Sequence, residues 1–237
     1  METAGYATLS RQSGLMREMR VVANNIANAA TTGYRSEGLI FSEYVKSAPG
    51  QESLSMARAN IHNTSLEQGQ LTKTNGTFDF AIEGDAFFMV ETPQGERLTR
   101  AGAFSSNAAG DLVTMDGHRV LDAGRAPVFV PTDAESVQVG ADGTISADGQ
   151  PLGQIGLFRP LEKHTMSRED GVMFRVDGDI EEALDGRVLQ GFLEGSNVNA
   201  IHQVSRLVEI QRAYEMGQSF LTTEDERIRA AIKNLIK

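Results

Sequence analysis

Apolar residues recur at helical spacing near the start of the chain. The positions that repeat every seven residues, with companions three residues further on, are Leu9, Met16, Met19, Ala23 and Ile26. This spacing places apolar side chains along one face of an α-helix. We therefore predict a helix over residues 2–30, ended near Gly33, a residue type that suits a left-handed helix terminus.

A second helical pattern occupies the end of the chain. The apolar positions spaced by seven residues without interruption are Leu207, Tyr214, Leu221, Ile228 and Leu235. Ser196 and Asn197 are residue types that cap helix starts, so a helix is predicted over residues 197–235. About forty residues at 1.5 Å per residue reach roughly 60 Å, which indicates a coiled-coil or bundle element.

The middle of the chain has the alternation and turn chemistry of β-structure. Short apolar runs occur at residues 86–90, 112–113, 128–130 and 155–158. The turn signals between runs of this kind are Gln94-Gly95, Asp116-Gly117, Asp142-Gly143 and Asp148-Gly149. Asp-Gly between apolar runs favours a hairpin, whose tight turn needs positive φ at both central residues. Residues 142–149 are read as two β-turns and not as a calcium loop, because the ligand spacing is absent.

These patterns predict an α+β fold in four parts. Long terminal helices, within residues 1–35 and 196–237, pair as a coiled coil. Residues 36–75 are polar and form an extended arm or linker, expected to contact neighbouring chains or to serve function. An antiparallel β-rich domain is inserted at residues 76–195.

Charge and composition narrow the function classes. The net charge is −10, which argues against general nucleic-acid binding. The two ends are close to neutral and the middle holds the acidic excess, so the ends could pack against copies of themselves with little repulsion. The chain has no cysteine, no visible signal peptide and no run of 18 apolar residues, so neither disulfides nor membrane insertion is expected.

No catalytic constellation is visible. The four histidines are isolated, and no P-loop, dinucleotide fingerprint or nucleophile elbow occurs. We predict that the chain is not an enzyme and has no catalytic, metal or cofactor-binding residues and no cofactor.

Asparagine is concentrated near the end of the first helix, at Asn24, Asn25 and Asn28. Asparagine is a poor helix former because its side chain competes for backbone hydrogen bonds. Either these side chains lie on a polar face beside the helix end, or they make hydrogen-bonded contacts between chains. Composition alone leaves the two alternatives open.

Three groups of motifs resemble those of the bacterial flagellar rod and hook proteins. The N-terminal group is Ala-Asn-Asn-Ile-Ala-Asn at residues 23–28 with Thr-Gly-Tyr-Arg at 32–35. The C-terminal group is Gly-Phe-Leu-Glu-Gly-Ser-Asn-Val-Asn at 191–199 with Gln-Arg-Ala-Tyr at 211–214. The middle group lies at residues 78–90, 98–104 and 110–113. Together they cover most of the chain in the order that this family shows.

The resemblance implies an axial structural subunit. Such subunits pass unfolded through the flagellar type III export apparatus without a cleaved signal peptide. They assemble in the periplasm, in the flagellar basal body, with copies of themselves and with other rod proteins. The terminal helices would form a tube that transmits torque and surrounds the export channel, with the β-rich domain outside. Length and opening residues are most similar to the proximal rod member, with the distal rod member as the alternative. A secreted β-domain adhesin is the alternative from another class.

The motifs and heptads also imply where subunits would meet. At the N-terminal end the expected interface residues are Leu9, Met16, Met19, Asn24, Asn25, Ile26, Asn28, Thr32, Gly33 and Tyr34. At the C-terminal end they are Ser196, Asn197, Val198, Asn199, Leu207, Gln211, Tyr214, Leu221 and Ile228.

Overall fold

The structure is a computed structural model that describes the backbone of residues 2–46 and 54–235, and the side chains of residues 8–40 and 63–234. Its contacts divide the chain into two compact units. The helical unit comprises Met1–Ala29, Ser36–Ser65 and Val198–Lys237, and the strand unit comprises Ala30–Arg35 and Leu66–Asn197. The predicted α+β class is confirmed, with one helix near each end and a β-rich middle.

The helical unit contains two helices and a two-stranded ladder. Its elements are α1 at Glu2–Ala27, β1 at Glu37–Lys46, β2 at Leu54–Thr64 and α2 at Ala200–Leu235. β1 and β2 pair antiparallel, with a bulge between Ile40 and Phe41. Much of the predicted arm is therefore paired strand that lies beside α1, while residues 47–53 fall outside the described part.

Both helix termini differ from the prediction in detail. α1 ends at Ala27, six residues before Gly33, so the positive φ of Gly33 (70°) does not cap the helix. α2 begins at Ala200, and its cap is Asn199, whose Oδ1 accepts a hydrogen bond from the His202 amide at 3.1 Å. The predicted cap at Ser196 or Asn197 is wrong, because the Asn197 side chain instead donates to the Glu67 carbonyl.

The strand unit contains sixteen strands. In chain order they are β3 Leu71–Lys73, β4 Phe80–Glu83, β5 Phe87–Thr92, β6 Gly95–Thr99, β7 Phe104–Ser106, β8 Leu112–Thr114, β9 Arg119–Val120, β10 Val137–Val139, β11 Thr144–Ala147, β12 Gln150–Gln154, β13 Leu157–Pro160, β14 Met166–Asp170, β15 Met173–Val176, β16 Ile180–Glu182, β17 Arg187–Gln190 and β18 Phe192–Glu194. The largest sheet has the order β14-β15-β6-β5-β9-β8-β7, with β13 beside β5 and β16 beside β13. A three-stranded sheet, β10-β11-β12, and the pairs β17-β4 and β18-β3 complete the unit.

Strand β5 organises the core because it is buried on both faces. Phe88 and Val90 belong to the larger apolar cluster, and Phe87 and Met89 belong to a second cluster. Successive side chains of a strand point to opposite faces, so a strand covered on both sides is continuously apolar. This accounts for the unbroken apolar run at residues 86–90.

The four predicted turns all join antiparallel partners, β5 to β6, β8 to β9, β10 to β11 and β11 to β12. At the last of these, Asp148 (φ 51°) and Gly149 (φ 78°) both have positive φ, as the turn chemistry predicts. The predicted strand at residues 128–130 forms only an isolated bridge at Phe129. Pro127 and Pro131 flank it and lack the amide protons that a longer ladder requires.

Candidate functional site

The structure places the expected interface residues in three classes of exposure. Those that are exposed are Leu9, Met16, Asn24, Asn199, Gln211 and Ile228. Those that are half-buried are Met19, Ile26, Asn28, Thr32, Ser196, Asn197, Val198, Leu207, Tyr214 and Leu221. Those that are buried are Asn25, Gly33 and Tyr34.

Asn25 makes its polar contacts inside the helical unit. Its Nδ2 donates to the Glu37 carbonyl at 2.7 Å, and its Oδ1 accepts from the Glu37 amide at 3.0 Å. The side-chain amide thus pairs with the backbone at the first residue of β1, as a neighbouring strand would. Asn28 donates to the Asn24 carbonyl at 2.9 Å, and the Asn24 side chain is exposed. The cost of asparagine in this helix is offset, at Asn25, by a contact within the chain.

Helices α1 and α2 pack against each other in antiparallel directions. Gln12 Nε2 donates to the Tyr214 carbonyl at 2.8 Å, and Arg206 Nη2 lies 2.6 Å from Glu18 Oε1. The hydrogen bond to Glu18 raises the pKa of the Arg206 guanidinium, although Arg206 itself is half exposed. These contacts fix the axial register of the two helices.

The helices also leave large apolar side chains uncovered. On α1 these are Leu9 and Met16, and on α2 they are Ile201, Val204, Val208, Met216, Phe220, Ile228 and Ile232. By contrast, the most buried apolar side chains of the helices are Val21, Val22 and Ile210, outside the strict heptad series. A groove of about 330 Å³ runs between the helices, bordered by Leu15, Met216 and Phe220 among others. Contacts within the chain therefore bury only some of the side chains at the heptad positions.

A buried ion cluster lies in the strand unit, and we name Arg35, Arg100 and Glu194 the Glu194 cluster. Arg35 Nη2 lies 2.9 Å from Glu194 Oε1, and Arg100 Nη1 lies 2.9 Å from Glu194 Oε2. All three side chains are at most 2% exposed. The Arg35 contact is an ion pair without hydrogen-bond alignment, since Nη2 has no hydrogen-bond partner among the described residues.

Backbone groups complete the surroundings of this cluster. Its net charge is positive, and the excess is compensated by carbonyl oxygens: Arg100 donates to those of Ile82 and Gly84, and Arg35 donates to that of Glu67. Burial lowers the pKa of Arg100 to about 10, opposed by the attraction of Glu194, so the guanidinium stays charged at neutral pH. Buried ion pairs persist when further hydrogen bonds satisfy their remaining donors and acceptors.

The Thr-Gly-Tyr-Arg motif is held in the strand unit by close packing. The Gly33 amide donates to the Glu194 carbonyl at 2.7 Å, and a Cβ at Gly33 would lie 2.3 Å from the Ala101 nitrogen. Tyr34 is 2% exposed, and the Arg168 guanidinium stacks over its ring at 4.3 Å. The motif is therefore an internal packing element of this unit.

We expect the Arg168→Met substitution to lower the free energy of unfolding of the strand unit by about 1–2 kcal/mol. The guanidinium contacts the rings of Tyr34 and Phe174 and donates to the Arg35 and Gly171 carbonyls, and methionine keeps only the apolar stem. Urea unfolding of the full chain measures the change.

Arg175→Met provides the control on the neighbouring strand, because Arg175 is half exposed and pairs with Asp177 at the surface. Its loss should cost less than about 0.5 kcal/mol. Equal losses in the two variants would show that the stacking contributes nothing specific.

Sequence reasoning did not assign roles to Arg35, Arg100 or Glu194, although each lies inside one of the three motif groups. The signal that could have found them is two basic residues and one acidic residue within otherwise apolar or glycine-rich motifs. Among the described residues, no group of three His, Asp or Glu side chains has a geometry that could hold a metal ion. None of the described helices is long and apolar enough to cross a lipid bilayer.

Three family models match the chain in sequence order. Residues 6–35 match the flagella basal body rod protein model, and residues 81–147 match the flagellar hook protein FlgE/F/G D1 domain. Residues 189–234 match the flagellar basal body rod FlgEFG protein C-terminal model. The first and last matches contain Arg35 and Glu194, and the middle match contains Arg100.

Full-length relatives agree with these matches. The chain is 38% identical to the flagellar basal-body rod protein FlgF of Mesorhizobium japonicum, covering 99% of this chain and 98% of the relative. It is 37% identical to FlgF of Caulobacter vibrioides, covering 100% and 99%. It is 33% identical to the rod protein FlgG of Agrobacterium fabrum, covering 92% and 93%. The chain therefore belongs to the family of flagellar basal-body rod proteins, which are structural subunits and not enzymes.

Proposed function

We propose that this chain is a FlgF-type subunit of the proximal rod, which assembles with copies of itself and with other rod proteins through α1 and α2. The observation that carries the proposal is the set of large apolar side chains that these helices leave exposed. Ile201 is 83% exposed and Met216 is 67% exposed. Clustered apolar exposure of this kind marks protein–protein contact surfaces.

The spacing of these residues suits contacts along a helix. Ile201, Val204 and Val208 recur at three and four residues, so they share one side of α2, and Met216 and Phe220 are one turn apart. Repeated head-to-tail contacts between identical subunits form an open helical array when the rotation does not close a ring. The resulting tube would surround the export channel and transmit torque.

We further infer that α1 and α2 pair as a coiled coil in the assembled rod. The antiparallel contacts Gln12 to Tyr214 and Glu18 to Arg206 support this pairing within one chain. The half-buried heptad residues Leu207 and Leu221 support knobs-into-holes packing once further helices surround them.

Export through the type III apparatus into the periplasm belongs to the same proposal. What supports it is that the chain's relatives are flagellar basal-body rod proteins. The expected interface at the asparagine and Thr-Gly-Tyr positions stays a prediction. Of these, Asn24 has an exposed side chain and is the best placed for contacts between chains.

The double substitution Met216→Glu with Phe220→Glu tests the proposed assembly surface. Met216 is 67% and Phe220 43% exposed at the border of the groove between the helices, so the monomer should keep its fold, whereas two carboxylates buried at a subunit contact would prevent assembly. We expect cells that carry only this variant to lack flagella and to stop swimming, while far-ultraviolet circular dichroism of the monomer is unchanged.

Gln218→Glu is the matched control, because Gln218 is an exposed polar residue between the two substituted positions. Cells with this control should swim normally. Normal flagellation with the double variant would rule out this helix surface as the assembly contact.

A further inference from the structure

A six-residue segment of the chain belongs by its contacts to a different unit from its neighbours in sequence. Ala30–Arg35 lies in the strand unit, although Met1–Ala29 and Ser36–Ser65 belong to the helical unit. The chain consequently passes between the units at four peptide bonds, after Ala29, Arg35, Ser65 and Asn197.

The strand-unit ends of these passages are tied to one another. Arg35 and Asn197 Nδ2 both donate to the Glu67 carbonyl, the latter at 2.8 Å. The Asn197 amide donates to the Tyr34 carbonyl at 3.2 Å. The residues joined by these hydrogen bonds are distant in sequence. They lie close to three of the four peptide bonds at which the chain passes between the units, those after Arg35, Ser65 and Asn197.

Glu194 joins the same segments from inside the unit. Its carboxylate faces Arg35 and Arg100, its Oε1 accepts from the Gly69 amide at 2.9 Å, and its carbonyl accepts from the Gly33 amide. One residue therefore contacts the segments at 33–35, at 69 and at 100. The described structure gives it no exposed face, since Glu194 is 1% exposed.

These contacts belong to a closely packed site in the strand unit, here called the slot, that holds Ala30–Arg35. The slot accepts a glycine where no Cβ fits, an aromatic ring under the Arg168 guanidinium, and an arginine against a buried carboxylate. Packing, stacking and charge select the same three consecutive residues, Gly33, Tyr34 and Arg35. Each of these three residues is held by a different kind of interaction.

We propose that Ala30–Arg35 is a latch, seated in this slot and held by Glu194, that fixes where the chain leaves the strand unit. The inference rests on the proposed rod function, because a subunit that transmits torque cannot let its connecting segments slide. Segments tied to one carboxylate and one carbonyl can leave their places in the strand unit only if the latch opens. Glu194 is in this sense a positioning residue.

The latch should open locally before the strand unit unfolds. Its polar contacts depend largely on two residues, Glu194 and Glu67, whereas β5 and β6 are held by a continuous ladder and by two apolar clusters. Local openings of this kind are reported by hydrogen exchange at the amides that they release.

Hydrogen exchange on the full-length monomer tests this with Glu194→Gln. Glutamine keeps the size of the side chain but leaves two buried guanidinium groups without a carboxylate. We expect exchange at the Gly33, Gly69 and Asn197 amides to accelerate by about a hundredfold or more, with β5 and β6 unchanged. Uniform acceleration in all strands, or none at the three amides, would overturn the latch.

Two further variants sharpen this experiment. Glu181→Gln is the matched control, because Glu181 pairs with Arg159 at 2.6 Å with both side chains about two-fifths exposed, and it should leave the three amides unchanged. Asn197→Ala removes the side-chain hydrogen bond to the Glu67 carbonyl and keeps every buried charge, so it is the milder test if Glu194→Gln does not fold. We expect about tenfold acceleration at Gly33 and Gly69 from this variant, and unchanged rates at both amides would overturn the latch.

Swimming in medium of raised viscosity then tests the mechanical role. Cells with Asn197→Ala should build flagella and lose speed more steeply with viscosity than cells with Glu181→Gln. Equal speeds would overturn the role of the latch in load bearing. If the unmodified chain fails to restore flagella in cells that lack it, the proposed rod function is contradicted. The hydrogen-exchange experiment still tests the latch in that case, because it is done on the monomer.

Discussion

The Phe88→Ala substitution should lower the free energy of unfolding of the strand unit by about 3–5 kcal/mol. Phe88 has no exposed surface, and its ring meets that of Phe104 edge to face with centroids 5.2 Å apart. It lies on β5, the strand buried on both faces, so the surrounding side chains have little freedom to fill the cavity. Urea unfolding, followed by hydrogen exchange at the β5 and β6 amides, measures the loss.

Phe129→Ala is the control for this prediction, because the same truncation is made at a side chain that is 54% exposed. It should cost about 1 kcal/mol or less. Similar losses for both phenylalanines would mean that burial in the β5 core is not what sets the cost.

The Gly33→Ala substitution should be about as damaging as Phe88→Ala, with a loss of about 4 kcal/mol or more. Alanine adds strain at a φ of 70°, and its Cβ would lie 2.3 Å from the Ala101 nitrogen and 2.4 Å from the Arg100 carbonyl carbon. These backbone atoms belong to the Arg100–Ala101 peptide group and cannot give way without moving Arg100, which belongs to the Glu194 cluster. Urea unfolding of the full chain gives the change in free energy.

Gly117→Ala separates the two contributions to this loss. Gly117 also has positive φ (84°), but no atom lies within 4 Å of the position that a Cβ would occupy. It should therefore show only the backbone strain, about 1–2 kcal/mol. If Gly33→Ala costs no more than Gly117→Ala, the close approach to Ala101 is not a constraint.

Local patterns account for the parts of the fold that the sequence predicts. Heptad spacing located both helices, and the turn at Asp148-Gly149 has the backbone conformation that its two residue types favour. Such signals depend on neighbours within a few residues. Where flanking residues intervene, as Pro127 and Pro131 do around Phe129, the apolar run forms only an isolated bridge.

The Glu194 cluster could not be predicted in the same way, because its members meet only after folding. Arg100 and Glu194 are 94 residues apart in sequence, and the residues around each of them do not predict which residue it will contact. The asparagines show the same limit. Composition left open whether Asn25 lies on a polar face beside the helix end or contacts another chain, and neither alternative includes its two hydrogen bonds to the Glu37 backbone.

The hairpin tip at Asp148-Gly149 has a practical consequence for following this protein in cells. A Cβ placed at Gly149 would have no neighbour within 4 Å, and the adjacent strand β12 is exposed at every residue. Since the chain contains no cysteine, one cysteine introduced at Gln150 would be the sole thiol and would carry one fluorophore per molecule. Fluorescence intensity would then give the copy number of the subunit in a single basal body.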